Sequence, residues 1–177
     1  MIEVEIKIPI DDIEKLRNII KRRGTLVSII KQNDIYFQHP SRDFSLTDEA
    51  LRLREEDNKY QLTYKGPKIS EMSKTRTEIT INVNDFNKTK QLLEYLGFKT
   101  FINITKIRET YKINEFFVSI DYVNGLGYYA ELEKEVSDIR RVSEIENELI
   151  NLAKDLGLDV TKNIRKSYLE LLLDKNH

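Results

Sequence analysis

The 177-residue sequence has no cysteine and no tryptophan, and it holds only two histidines, three prolines and six glycines. The missing cysteines exclude a disulfide framework, thiolate metal centres and a cysteine nucleophile. Neither histidine falls within a motif. His39 sits in a loop-like stretch and His177 is the last residue, so both are read as solvated and no general base is named. No apolar run approaches the roughly 20 residues that cross a bilayer, and the N-terminus reads as a charged strand rather than a signal peptide. The expectation is a soluble, cytoplasmic protein without a membrane partner. Charge of one sign is missing too: 29 Lys and Arg against 30 Asp and Glu leave a net charge of −1. A global basic field for nucleic acid is therefore excluded.

What the chain does have is charge placed in a pattern. In "MIEVEIKIPI", Ile2, Val4, Ile6 and Ile8 alternate with Glu3, Glu5 and Lys7. That period of two is a strand with one apolar and one charged face. A helix follows, started by Asp11 or Asp12, striped by Ile13, Leu16, Ile19 and Ile20, and ended at Gly24. Its last turn, Lys21 to Arg23, complements the helix dipole. A strand is expected around Leu26–Phe37, then a loop-like "QHPSRDFSLTDEA". Further strands read from "ALRLREE", "KYQLTYKGP" and "KTRTEITINV", and a helix from "NDFNKTKQLLEYLGF" with Phe86, Leu92, Leu93 and Leu96 as its apolar side. "ITKIRETYKI" reads as a strand broken at Glu109. "FFVSIDYV" and "GLGYYAELEKEV" read as strands joined by a tight turn at Gly125-Leu126-Gly127. Ser143 and Glu146 suggest a capping box for a helix whose Leu149, Leu152, Leu156 and Leu158 form a core face or a homodimer contact. A packed terminal helix follows. About eight strands joined mostly by short turns favour antiparallel pairing, so the fold class is α+β in one domain, residues 1–177.

The charged strand faces carry Lys7, Arg52, Arg54, Lys65, Arg76, Lys106 and Arg108 beside Glu3, Glu5, Glu78, Asp121, Glu131 and Glu133, each set opposite an apolar face. An open sheet with one wetted face would show this pattern. So would a closed barrel whose apolar faces meet helices outside and whose charges line a lumen. Repeated charges, where solvated strands usually mix in Thr, Ser, Gln and Asn, favour the barrel. Buried charges cost several kcal/mol each unless matched. The cations suit a polyanion, with Arg gripping phosphate oxygens in a two-pronged fork. The carboxylates tolerate phosphate only with a divalent cation between them. The pattern suggests a metal-bound triphosphate.

These residues resemble the CYTH family, the triphosphate tunnel metalloenzymes. The family's E-x-E-x-K opening is matched by Glu3, Glu5 and Lys7. In family order follow "NDIYF" with Asp34 and Tyr36, "LRLRE" with Arg52 and Arg54, "YKGP" with Lys65, "RTE" with Arg76 and Glu78, and "KIR" with Lys106 and Arg108. "SIDYVNGLGYYAELE" supplies Asp121, Glu131 and Glu133. The chain is most similar to the class IV adenylyl cyclase branch, with Lys166 where the late motif often has Arg. Glu133 after Glu131 resembles the triphosphatase members. The resemblance implies a closed tunnel of eight antiparallel strands with flanking helices, binding a triphosphate with Mg²⁺ or Mn²⁺. Glu3, Glu5, Asp121, Glu131 and Glu133 are the implied metal ligands. Lys7, Arg52, Arg54, Lys65, Arg76, Lys106 and Arg108 are the implied phosphate ligands, with Glu5, Lys7, Lys65 and Arg108 closest to the chemistry.

Three functions follow as expectations. One is cyclisation of ATP to cyclic AMP and pyrophosphate. The second is hydrolysis of inorganic tripolyphosphate, a nucleoside triphosphate or thiamine triphosphate. The third is polyphosphate binding without turnover. Recognition of the substrate's organic part is expected on the loops His39–Asp48 and Lys68–Ser73.

Overall fold

The computed structural model of the chain describes residues 2–176. Eight strands close into a barrel: β1 (Ile2–Pro9), β2 (Thr25–Gln38), β3 (Ala50–Glu56), β4 (Lys59–Lys68), β5 (Arg76–Val83), β6 (Lys99–Ile113), β7 (Phe116–Val123) and β8 (Gly127–Val136). Around the barrel the order is β1-β5-β4-β3-β2-β6-β7-β8. Neighbours pair antiparallel throughout, as the short turns require. Gly125 and Gly127 hold φ of +84° and +101° at the β7–β8 turn, a conformation L side chains rarely adopt. The expected strand around Leu26–Phe37 is β2, one residue longer at each end.

Helices cover the barrel unevenly. α1 (Ile13–Arg23) and α4 (Val142–Asp155) lie on the outer face of β1, β7 and β8. There Leu16, Ile20, Ile145, Leu149 and Leu156 meet Val4, Ile6, Ile8, Val118, Ile120 and Leu132 in the main core. Asp12 caps α1 by accepting from the Lys15 amide at 3.0 Å. α3 (Phe86–Tyr95) packs Leu93 and Phe86 against Leu53 and Phe37, but Leu92 and Leu96 point to solvent, so the apolar side is narrower than its sequence suggests. Ile79 and Ile81 on the outside of β5 are also exposed, so helices do not cover the whole wall. A short α2 (Phe44–Thr47) interrupts the stretch expected to be loop. α5 (Tyr168–Lys175) stops one end of the barrel, packing Leu169 and Leu172 near Ile102, Ile104 and Val123.

Three expectations are corrected. β6 has no break at Glu109: this carboxylate faces outward beneath α1, accepts from Arg17 Nε at 3.1 Å and from the Tyr111 hydroxyl at 3.0 Å, and so sits in the strand without cost. Ser143 and Glu146 form no capping box. α4 begins at Val142 without a side-chain cap, and Glu146 is turned inward onto Ser70 and Ser73. The capping box of this chain is Ser167 with Glu170, at the start of α5. His39 is half-buried rather than freely solvated: its ring lies 5.6 Å from that of Phe44 and 5.2 Å from that of Phe98. His177 lies outside the described residues. Leu149 is fully buried where α4 meets the barrel, so Leu149→Ala is expected to cost about 2–5 kcal/mol in urea unfolding.

Candidate active site

Because side chains alternate along a strand, burying one apolar face under α1 and α4 turns the charged face inward. The inward residues enclose a cavity of about 650 Å³, within the usual range for small-molecule sites. Beside these charges the lining includes apolar side chains, among them Phe44 and, from α5, Leu169 and Leu173. Of the residues singled out as phosphate-binding, all but the buried Lys7 line the cavity, and of those singled out as metal ligands, all but the buried Asp121.

The cations divide by whether the protein pairs them. Arg54 grips Asp34 through two bonds of 2.6 and 2.7 Å. Burial alone would raise Asp34, but Arg54 outweighs it and holds the carboxyl far below its usual range. Arg108 binds both Asp121, at 2.6 and 2.7 Å, and Glu131. Lys106 lies 3.4 Å from Asp121, and burial, with Arg108 beside it, pushes the ammonium down to about 8. Lys7 is fully buried, 3.2 Å from Glu131 and 3.9 Å above the Tyr168 ring centroid, and donates to the Lys166 carbonyl at 3.1 Å. Burial, reinforced by Lys74, pushes it down to about 7. Lys65 binds Glu78. Arg52 differs from these: among the described residues it makes no ion pair, and its buried Nε has no hydrogen-bond partner. Arg76 likewise leaves a buried Nε unpartnered, with a terminal nitrogen 3.6 Å from Asp48. Buried donors without partners are costly, and an anion in the cavity would satisfy them.

The carboxylates also divide. Glu3, Glu5 and Glu133 each bring an oxygen within 4.8 Å of the others. Burial raises Glu3 to about 8, with Lys65 opposing and Glu133, Glu78 and Glu5 adding. Burial raises Glu133 to about 7, with Arg108 opposing and Glu5 and Glu131 adding. Three converging hard oxygen donors fit Mg²⁺ or Mn²⁺. Asp121 and Glu131 lie elsewhere in the charge pattern. Burial would raise both, but Arg108 leads the surrounding cations in holding both below the usual range, and the Tyr168 hydroxyl donates to Asp121 at 2.7 Å.

Two site residues escaped the sequence reading. Lys74 Nζ lies 2.7 Å from Glu5 and 3.8 Å from Glu131. It precedes β5, but Lys74, Arg76 and Glu78 continue the same two-residue spacing, and that signal could have found it. Tyr168 was read as packing only. Nothing local to it announces that its hydroxyl reaches a carboxylate 47 positions earlier.

The CYTH domain model matches residues 1–168. A Methanocaldococcus jannaschii protein that carries the name "Putative adenylate cyclase" is 48% identical over 97% of this chain and 98% of its own. The structure of a Pyrococcus horikoshii protein superposes with a TM-score of 0.92 at 40% identity, covering 98% of this chain and 99% of that one. A Hippeastrum adenylyl cyclase relative, described as having a dominant triphosphatase activity, shares the fold with a TM-score of 0.67 at 18% identity over 99% of this chain and 95% of its own. Proteins of this family are enzymes of adenylate cyclase or triphosphatase type that act on triphosphates such as ATP with divalent metals.

The raised Glu3 and Glu133 carboxyls set a pH dependence. A group whose pKa is higher folded than unfolded stabilises the fold at low pH and loses that contribution as pH rises through the folded value, here about 7 and about 8. The metal-free protein is therefore expected to lose thermal stability as pH rises from about 4.5, the ordinary glutamate value, to about 8, and Mn²⁺ to restore it. Titration calorimetry in buffers of different ionisation enthalpy at pH 7 is expected to show protons released on Mn²⁺ binding. Uptake, or no exchange, would contradict the assignment.

Proposed function

Since the chain belongs to the CYTH family, we propose that it is a metal-dependent enzyme that cyclises ATP to cyclic AMP and pyrophosphate in the barrel lumen. The observation that carries this reading is the pair of buried, unpartnered arginine Nε groups at Arg52 and Arg76, facing a cavity that also holds three converging carboxylates, of which Glu3 and Glu133 make no ion pair among the described residues. A metal triphosphate completes both halves. The apolar part of the lining, with Phe44, Leu169 and Leu173, suits a purine, which inorganic tripolyphosphate lacks.

In this reading Arg52, Arg54, Arg76 and Lys65 grip the β- and γ-phosphates, and Lys7, Lys106 and Arg108 face the α-phosphate. Glu3, Glu5 and Glu133 hold a divalent cation, joined by Glu131 and Asp121 where their cation partners turn to phosphate. Bound there, such an ion would supply Lewis-acid charge that lowers the pKa of the attacking hydroxyl and offsets charge on the leaving group. The ribose 3′-hydroxyl gives its proton to water as its oxygen bonds to the α-phosphorus, the bond from that phosphorus to the α–β bridging oxygen breaks, and pyrophosphate leaves with the bond's electron pair. The side chains bind and orient the chain of phosphates and stabilise charge that grows on pyrophosphate; none forms a covalent intermediate. Asp121 positions Arg108 and Lys106 through their ion pairs, and Tyr168 holds Asp121.

Hydrolysis of the terminal phosphate is the second reading, favoured by the Hippeastrum relative's described triphosphatase activity and by Glu133 beside Glu131 in sequence. The wild-type protein, given ATP or tripolyphosphate with Mg²⁺ or Mn²⁺, is expected to yield cyclic AMP and pyrophosphate from ATP. Orthophosphate from tripolyphosphate with no cyclic AMP from ATP would replace the first reading by the second. Arg52→Ala is expected to raise KM for the triphosphate about tenfold or more, since a charge-assisted phosphate contact is lost. Glu133→Gln is expected to abolish most turnover while tripolyphosphate binding persists. Unchanged turnover would remove the metal role of Glu133, and wild-type protein that binds tripolyphosphate but turns over neither substrate would favour a binding protein.

A further inference from the structure

The segment between β4 and β5 is built as carefully as the barrel it leaves. Its Ser73 hydroxyl donates to buried Glu146 at 2.6 Å, and Ser70 reaches the same oxygen. The Met72 carbonyl accepts from Asn163 at 2.9 Å, and the Ile69 amide closes on the Thr75 carbonyl at 2.8 Å. The Lys74 amide donates to the Glu5 carbonyl at 3.0 Å, which fixes where its side chain enters the lumen. A buried carboxylate on α4, whose oxygens are met by hydroxyls rather than by a cation, is costly to retain for packing alone. Here it anchors the loop that delivers one lysine.

Lys74 stands at an awkward place for a structural ion pair. Its ammonium lies 2.7 Å from Glu5, a member of the converging carboxylate set. A divalent cation taking Glu5 and the ammonium holding it would repel each other at that distance. Glu131, 3.8 Å away, already receives Lys7 and Arg108, so a displaced Lys74 head that turned to it would be a third cation on one carboxylate. The lysine stem has rotatable bonds and a compact head, so the head can move while the anchored backbone stays.

We propose that Lys74 is a further phosphate-binding residue of the tunnel, one that occupies the Glu5 end of the metal site before loading and transfers its ammonium to the triphosphate when the metal arrives. The role rests on the reading of the lumen as a metal-triphosphate site. Metal and triphosphate binding then cooperate, because each relieves a charge conflict that the other would meet.

The test uses the whole protein without turnover: Mn²⁺ alone, followed by electron paramagnetic resonance of the unbound ion, and tripolyphosphate in its non-hydrolysable imido form at saturating Mn²⁺, followed by calorimetry. Lys74→Met is expected to bind Mn²⁺ about tenfold more tightly than wild type and tripolyphosphate about tenfold or more weakly. Lys74→Arg is expected to keep the tripolyphosphate affinity, since it keeps the charge. A Lys74→Met protein that binds tripolyphosphate as wild type does, or Mn²⁺ no more tightly, overturns the proposal. If Lys74→Met does not fold by circular dichroism, Lys74→Gln is measured against the same two outcomes. Wild-type protein that binds neither probe overturns the tunnel reading and this role together. Wild-type protein that binds both, with an unaltered Lys74→Met, overturns the role alone.

Discussion

The contact on which the barrel most depends is that of Glu131 with Lys7 at 3.2 Å and with Arg108, which binds Asp121 as well. These groups come from β1, β6, β7 and β8, so one inner network spans the half of the wall that α1 and α4 cover outside. The same strands are thus buried on both faces, one dry and one ionic. Such ions are tolerable only with close partners, since breaking one pair leaves its neighbour charged and desolvated. The apolar core sets the register, because a slip of one residue would exchange Ile6 for Lys7.

Pairing within the lumen is incomplete in a directed way. Asp34, Asp121 and Glu131 are held ionised by arginines, whereas burial pushes Glu3 and Glu133 toward the neutral form. Arg52 and Arg76 keep unpartnered nitrogens in the same space. The surplus of each sign lies side by side: Glu3 of the acid cluster is the cross-strand neighbour of Arg76 on β1 and β5. A ligand carrying only one sign of charge would answer half of this; a cation and a polyanion together answer both.

Much of this was legible in the chain because a strand writes its two faces into alternate letters. Glu3, Glu5 and Lys7 in β1, or Arg52 and Arg54 in β3, needed only the period of two and the argument that helices must cover the apolar side. What escaped was set by distance. Glu146 looked like a capping residue because four letters, Ser143 to Glu146, fit a local pattern, while its actual partners lie 73 and 76 positions away. The break expected at Glu109 failed for the same reason: Arg17, 92 positions earlier, makes an outward glutamate welcome in the strand. The division of the carboxylates into a converging set and a cation-bound set depends on barrel closure, which no single strand encodes.

The short segment after α4 has a consequence for how the molecule is made. The Ile164 amide donates to the Lys7 carbonyl at 2.7 Å, the Lys166 carbonyl receives the Lys7 ammonium, and the Tyr168 hydroxyl meets Asp121. All eight strands leave the ribosome before these groups do. A nascent barrel can therefore pair its backbone, but it must keep Lys7 and Asp121 hydrated until the chain beyond residue 163 arrives. Burial of the ionic network is thus a late event in biogenesis, and the first strand is finished by a residue translated 159 positions after Lys7.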